Sequence, residues 1–245
     1  MKNALLGLKF SLSYFSLIPI KFSPKDNLNK KEIFGFMLFF FPFVGILISS
    51  LIILFSNLGS GWLFFLFLSF FYLFLYGFLH TEALIDVVDA LFGLHSQKDP
   101  YKIIKEPTVG AMGVLFGVSF LILKLSSLVY LFLEGNQKYL LAIALTSRFG
   151  ALVSFKSFEF KSSFLEKLKQ SFSFELFLKA AILYTLFIFF VFNFNGIFIF
   201  GVGITIFLGV VKILQNSLGF VNGDVIGSSI EIVELVLIIG IILFF

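Results

Sequence analysis

Apolar residues along this chain form long blocks, and polar residues are largely confined to the connections between them. A bilayer core about 30 Å thick needs roughly 20 mostly apolar residues per helix. The pattern therefore predicts an all-α, polytopic integral membrane bundle of about seven transmembrane helices, in a single domain covering residues 1–245. The predicted spans are 34–55, 61–79, 109–133, 139–155, 176–193, 197–213 and 230–245.

The predicted connections alternate between short and long. Residues 80–108, 156–175 and 214–229 form the longer, polar segments. The segment before the first span, residues 1–33, lacks a small-residue cleavage site after a clean apolar core. We therefore expect it to be retained, either in the cytoplasm or in the membrane interface.

Lysine and arginine are distributed unevenly over these connections. Fifteen of the 18 lie in or beside the N-terminal segment and the three long connections, and Lys138 alone lies on the opposite side. The positive-inside rule then places the long connections in the cytoplasm. We expect a multi-pass protein of the bacterial cytoplasmic (inner) membrane, in contact with the lipid bilayer and able to form an oligomer, with its site-bearing loops facing the cytoplasm.

Composition supports the membrane class and restricts the chemistry. Hydrophobic residues make up 59% of the chain and charged residues 13%, outside the usual range for a soluble domain. The chain has no cysteine, so any metal would be bound by oxygen or imidazole ligands. The basic residues form no patch interleaved with aromatic residues, so nucleic acid is not an expected partner.

Three carboxylates follow the second predicted span at a helical spacing. If this stretch is helical, Glu82, Asp86 and Asp89 fall at i, i+4 and i+7 and share one face. Such stacked charges repel each other, and a divalent cation would remove that penalty. Oxygen ligands of this kind suit Mg²⁺ that also holds substrate phosphates. A solvated acidic helix end is the alternative, and His80 is a further candidate beside the cluster.

Two glycines enter the third predicted span beside a lysine. Gly110 and Gly113, at i and i+3, permit close backbone approach, and Lys105 precedes them. The approaching group could be a phosphate at a helix N-terminus or a neighbouring helix.

The last predicted span is preceded by a polar turn, Asn222-Gly223-Asp224. The following helix carries Glu231 and Glu234 into an otherwise apolar span, where carboxylates are candidates for function. Acidic residues in a first helical turn are also ordinary partners of the helix dipole.

Two cations lie inside predicted spans. Lys124 and Arg148 are each expected to face the bundle interior and to pair with a carboxylate or a substrate phosphate. Arg148 is the stronger substrate candidate because guanidinium binds phosphate with two parallel hydrogen bonds. A structural salt bridge to Glu231 or Glu234 is its alternative role.

Three motifs, in this order along the chain, resemble those of the adenosylcobinamide-GDP ribazoletransferase (cobalamin synthase) family. Residues 80–91 align without a gap with HLDGLADTADGL, residues 105–114 resemble K-D-x-R-x-G-x-x-G-V, and residues 219–234 resemble GGxTGDxLGAxxExxE. Among the departures, Glu82 replaces an Asp, and Thr108 stands where Arg is usual, which removes a phosphate contact.

The resemblance implies a late step of cobalamin synthesis, the assembly of the nucleotide loop. An Mg²⁺-dependent enzyme of this family transfers the adenosylcobinamide-phosphate moiety from adenosylcobinamide-GDP to α-ribazole, or to α-ribazole 5′-phosphate, and releases GMP. On this basis the expected catalytic residues are Glu82, Asp86, Asp89, Asp224 and Glu231, of which the first four bind Mg²⁺. The expected substrate-binding residues are His80, Lys105, Gly110, Gly113, Arg148, Asn222 and Gly223.

Two other functions fit parts of the pattern. A CDP-alcohol-type phosphotransferase also places aspartates at the ends of membrane helices, but its D-G-x-x-A-R start and its D-x-x-x-D continuation are absent. A membrane transporter could use the intramembrane charges as a relay, although the chain has no convincing pair of similarly interrupted spans.

Overall fold

The chain forms a bundle of α-helices in the computed structural model, which describes residues 2–244. No β-strand occurs among these residues, so the predicted all-α fold is confirmed. The α-helices of this part are α1 (Lys2–Phe15), α2 (Lys31–Phe39), α3 (Phe41–Ser56), α4 (Trp62–Leu75), α5 (Leu79–Gly93), α6 (Pro100–Ile103), α7 (Ala111–Leu133), α8 (Tyr139–Ser157), α9 (Ser163–Ser171), α10 (Phe174–Leu218) and α11 (Gly223–Phe244).

The helices are long and apolar enough for a multi-pass membrane protein. Over the described part of the chain, α7, α8, α10 and α11 could each cross a membrane, and the number rises to six if each of two bent pairs is one span. The pair of α2 and α3 bends by 42°, and the pair of α4 and α5 bends by 80°. The count of about seven spans stays a prediction.

The first predicted span, 34–55, is broken rather than continuous. The break lies at Phe40, between α2 and α3. Pro42 lies in the first turn of α3, where its missing N–H costs nothing, but its ring blocks a straight continuation of α2. The proline therefore accounts for the bend.

The second predicted span, 61–79, ends earlier than expected, at Leu75. Gly77 and Phe78 both have a positive φ, of 62° and 54°, which no α-helix accommodates. The chain turns there into α5, so the helix that carries the predicted carboxylates runs at a steep angle to α4.

The 45-residue α10 doubles back at Asn193, which has a φ of 55° and a ψ of −145°. On α8, the ring of Phe149 lies 6.2 Å from that of Tyr184 and 4.9 Å from that of Phe200. In a straight helix these two residues would be about 24 Å apart. The break predicted between the fifth and sixth spans is therefore present, and both halves of α10 pack on the same helix.

The membrane helices differ in how much of their surface is buried. Helices α8 and α11 are mostly buried, whereas α7 and α10 expose most of their side chains. Those exposed side chains include Leu115, Phe116, Phe190 and Phe194. In lipid such a surface is well solvated, and α7 and α10 bury only one face, which includes Lys124 on α7.

Candidate functional site

Four carboxylates from two helices form an acidic cluster. The half-buried Asp86 lies within electrostatic range of Asp224 on α11, and also of Glu82 and Asp89 on its own helix, α5. Across residues 2–244, no salt bridge neutralises any of the four. The cluster therefore concentrates negative charge where α5 and α11 pack together.

Asp89 occupies the N-terminus of α7. Its two carboxylate oxygens accept hydrogen bonds from the backbone N–H groups of Gly110 (2.5 Å) and Gly113 (2.6 Å). A Cβ atom added at Gly113 would lie 2.5 Å from the Asp89 Cγ, and one at Gly110 would lie 2.7 Å from its Oδ1. The two glycines thus make room for this aspartate, and the helix end where a phosphate was predicted holds a carboxylate.

The turn before α11 orients Asp224. The Asn222 side chain accepts a hydrogen bond from the Val225 N–H (3.0 Å) and donates one to the Asp224 Oδ2 (2.7 Å). This cap starts α11 at Gly223, well before the predicted span at 230. Asn222 therefore acts on Asp224 as an orienting group.

The N-terminal segment and the three long connections meet at one end of the bundle. They line a shared groove with a volume of about 780 Å³, which we call the basic groove after its two lysines, Lys105 and Lys161. The candidate site residues of these segments therefore lie at the same end of the bundle, which agrees with the uneven distribution of lysine and arginine. Which side of the membrane this is stays a prediction. Polar residues of the groove include Tyr14, Tyr101, Lys105, Lys161, Glu166, Asn222 and Asp224.

Lys161 is a groove residue that the sequence did not single out. Its backbone N–H donates to the Val221 carbonyl (2.7 Å), and its carbonyl accepts from the Tyr101 hydroxyl (3.1 Å). Its ammonium lies 4.0 Å from the centre of the Tyr101 ring, and that of Lys105 lies 4.6 Å from the same centre. Two cations from different segments therefore converge beside Asp224.

Tyr14 brings a phenol from α1 to the same place. Partial burial, and then the nearby Asp224 carboxylate, raise the pKa of the Tyr14 hydroxyl. The hydroxyl therefore stays protonated at neutral pH and can donate a hydrogen bond in the groove.

A buried ion network lies among α7, α8 and α11. The Lys124 ammonium contacts Glu231 (2.5 Å) and Glu234 (2.7 Å), and Arg148 forms an ion pair with Glu234. All four side chains are at most 5% exposed. Two cations face two carboxylates, so the network is balanced in charge. Hydroxyls of Tyr72, Thr81 and Ser147 donate further hydrogen bonds to the two carboxylates.

Arg148 and Glu231 were both expected at the substrate, and the structure places both in this network. Arg148 also donates to the Ala144 carbonyl (3.1 Å) and lies over the Tyr76 ring. One terminal nitrogen of its guanidinium is therefore occupied by the protein, as in the structural alternative, while the Nε atom has no hydrogen-bond partner in the described part of the chain, and the side chain is 1% exposed. Glu231 accepts a hydrogen bond from Thr81 and therefore contacts the buried face of α5, the helix that carries Glu82.

His80 is buried inside the bundle at the start of α5. It is 5% exposed, and its ring contacts those of Phe41 and Tyr76. Its Nε2 has no hydrogen-bond partner in the described part of the chain. The predicted substrate contact is thus a buried imidazole with an unused polar atom.

The sequence is similar to those of enzymes named adenosylcobinamide-GDP ribazoletransferase. It is 28% identical to the one of Chlorobium chlorochromatii, over 93% of this chain and 92% of that one. It is 26% identical to the enzyme of that name from Clostridium perfringens, over 99% and 100% of the two chains. No solved structure matches. The family model described as cobalamin-5-phosphate synthase matches residues 7–242, and the chain therefore belongs to the cobalamin-5-phosphate synthase family.

Proposed function

We propose that this protein is an adenosylcobinamide-GDP ribazoletransferase. A hydroxyl of α-ribazole, or of its 5′-phosphate, attacks the cobinamide-side phosphorus of adenosylcobinamide-GDP. A new phosphorus–oxygen bond forms, the bond to GMP breaks, and the hydroxyl proton passes to a carboxylate. The products are adenosylcobalamin, or its phosphate, and GMP. The names of the relatives supply these substrates.

The observation that carries the proposal is the acidic cluster beside the basic groove. Transfer of a phosphoryl group between two oxygens requires mainly positioning and neutralisation of charge. Asp224 belongs to both parts of the site, since it lines the groove and interacts with Asp86. Lys105 and Lys161 would neutralise the pyrophosphate from the groove side.

Mg²⁺ fits the donor set of this cluster. Within residues 2–244, no three acidic or histidine side chains are arranged to hold one ion together. Mg²⁺ does not need three, because it commonly binds through one or two carboxylates together with water and substrate phosphates. Asp86 and Asp224 would hold it, with Glu82 close by. When bound, it would neutralise phosphate charge in the transition state.

The other carboxylates then have separate roles. Asp89 holds the start of α7 against α5 through Gly110 and Gly113, so it positions the cluster. Glu82 is exposed and has no salt bridge in the described part, so it is free to accept the hydroxyl proton. Glu231 forms an ion pair with Lys124 and supports the site from the interior of the bundle.

The groove would face the cytoplasm of a bacterial inner membrane, where a GDP-linked substrate is available. The positive-inside distribution of lysine supports this orientation. The mutual pairing of Lys124, Arg148, Glu231 and Glu234 gives no support to the transporter alternative, because each charge is already neutralised by another.

The test is GMP release by purified protein. Detergent-solubilised enzyme is given adenosylcobinamide-GDP, α-ribazole 5′-phosphate and Mg²⁺, and GMP is quantified by chromatography. We expect GMP and cobalamin phosphate in equal amounts, dependent on both substrates. A pure and monodisperse preparation that forms neither product would refute the proposal.

A further inference from the structure

An apolar cavity adjoins the basic groove. Its volume is about 150 Å³, and most of its wall consists of aromatic and aliphatic side chains. The cavity and the groove share part of their lining, including Tyr14, Phe164 and Asp224. We call this cavity the apolar chamber. Other residues of its wall are Phe15, Phe41, Phe155, Ile226 and Ile230.

The chamber contains one buried polar group that lacks a partner. His80 lines it, is 5% exposed, and has an Nε2 atom without a hydrogen bond in the described part of the chain. Buried polar atoms are nearly always hydrogen-bonded in folded proteins. His80, with its unused nitrogen, belongs to a wall that is mostly apolar, so the cavity suits a ligand that is mostly apolar but carries a hydrogen-bonding atom.

The geometry points to a subsite for a flat heteroaromatic ring, and the apolar chamber binds the base of the acceptor nucleoside. This inference rests on the proposed function. Apolar cavities of about 150 Å³ in other proteins bind benzene, so the volume suits an aromatic ring whose far edge reaches the groove. His80 would be the hydrogen-bond partner of a ring nitrogen.

Because the chamber and the groove share a wall, the nucleoside can bind in one orientation, with its base in the chamber and its polar end in the groove. With its base in the chamber, its ribose lies at the junction beside Tyr14 and Asp224, and its 5′-phosphate extends into the groove. The attacking hydroxyl is then brought to the acidic cluster. The chamber thus selects the acceptor and orients it, while Lys105 and Lys161 remain available for the pyrophosphate of the donor.

A lipid acyl chain is the competing occupant. It would pack against the apolar wall, but its hydrocarbon has no atom that can form a hydrogen bond with His80, and it would make no polar contact where the chamber meets the groove. The two occupants therefore differ in their dependence on His80.

The first experiment measures binding of free benzimidazole to the purified full-length protein by equilibrium dialysis. Ile226→Phe fills the chamber, and Leu165→Phe narrows it from α9, so the test does not depend on one variant folding. Ile238→Phe is the control, because Ile238 is buried on the same helix, α11, and does not line the chamber. We expect the Kd to rise at least tenfold in both chamber variants and to change less than twofold in the control.

Substitutions of His80 separate a ring from an acyl chain. His80→Phe keeps an aromatic side chain without nitrogen and should weaken benzimidazole binding about tenfold, whereas His80→Gln, which keeps a hydrogen-bonding group, should recover part of the loss. Equal benzimidazole binding by wild type and both chamber variants would overturn the subsite. Displacement of benzimidazole by oleate, with binding unaffected by His80→Phe, would overturn it in favour of lipid.

Kinetics distinguish failure of the subsite from failure of the proposed function. The chamber variants should raise the KM for the acceptor nucleoside and leave the KM for adenosylcobinamide-GDP within twofold. If GMP is released normally and neither KM changes in the chamber variants, the proposed function is supported and the subsite is refuted. The chamber variants could instead weaken benzimidazole binding while no acceptor yields GMP. In that case the chamber binds aromatic rings, but the proposed function is refuted, and with it the assignment of the chamber to an acceptor nucleoside.

Discussion

The Asp89 carboxylate lies 2.6 Å from the backbone nitrogen of Gly113, across the first turn of α7. This contact joins the acidic helix α5 to the segment that carries Lys105. It is possible only because Gly113 has no side chain, since an added Cβ would lie 2.5 Å from the Asp89 Cγ. A short backbone contact therefore fixes the relative position of the carboxylates and the groove.

Gly113→Ala should consequently disturb the site more than its small size suggests. The methyl group must displace Asp89, and such overpacking typically costs about 1–3 kcal/mol. We expect a lower melting temperature together with a loss of at least tenfold in GMP release per folded molecule. The control is Gly209→Ala, because a Cβ at Gly209 meets no atom within 4 Å. Equal behaviour of the two variants would show that the contact is unimportant.

Asp86→Asn and Asp224→Asn test the proposed Mg²⁺ ligands. Each removes a charge but keeps the shape of the side chain, so each should lower turnover by roughly 100-fold or more. The residual activity should need a higher Mg²⁺ concentration, which is measured by titrating the metal at fixed substrate. Glu134→Gln, in the short connection after α7, is the control. An unchanged Mg²⁺ dependence in both aspartate variants would remove these residues from the metal site.

Lys161→Met tests the groove. Loss of a charged hydrogen bond to phosphate should raise the KM for adenosylcobinamide-GDP about tenfold, with a smaller effect on kcat. Lys161→Arg keeps the charge and should recover most of the affinity. Lys98→Met removes a lysine from the 80–108 connection but not from the groove, and it should leave both constants unchanged. Similar kinetics for Lys161→Met and Lys98→Met would contradict the assignment.

The orientation can be tested with single cysteines, because the chain contains none. Cysteines at Gln97, Gln170 and Glu134 are treated with an impermeant thiol reagent on intact cells. We expect labelling at 134 alone, and labelling at 97 and 170 only after the membrane is opened. Labelling at 97 or 170 in intact cells would invert the predicted topology.

The sequence predicted those parts of the site that depend on local spacing. The carboxylates of α5 share a face because their positions follow the helical repeat, and α5 is helical where this was expected. The turn at Asn222 was found for the same reason, since its hydrogen bonds link residues within three positions.

The parts that depend on tertiary packing were not predictable in the same way. A glycine pair before a span suits phosphate, a neighbouring helix or, as found, Asp89, and sequence spacing cannot distinguish them. Lys161 is one of several lysines in its connection, and only its contacts with Val221 and Tyr101 set it apart. For Arg148, its position inside an apolar span indicated a polar partner but did not distinguish a carboxylate from the substrate.

In the structure the partner of Arg148 is the Glu234 carboxylate, so substitution of Arg148 should lower the stability of the protein. Arg148→Ala leaves Glu234 with Lys124 as its single ionic partner in the described part of the chain, and the network with one excess negative charge. Breaking a buried pair in this way typically costs about 3–5 kcal/mol. We expect a low yield and a reduced melting temperature, while GMP release per folded molecule stays within a few fold of wild type.

A double variant separates this role from substrate binding. Arg148→Met combined with Glu234→Gln removes one charge of each sign and leaves Lys124 paired with Glu231 at 2.5 Å, so the interior is balanced again. Because the two residues are in contact, their effects should not add, and the double variant should be more stable than Arg148→Ala. Thermal unfolding measures this difference, and GMP release is normalised to the folded fraction. If Arg148 instead binds the substrate pyrophosphate, the double variant would recover stability yet stay as inactive as the single one.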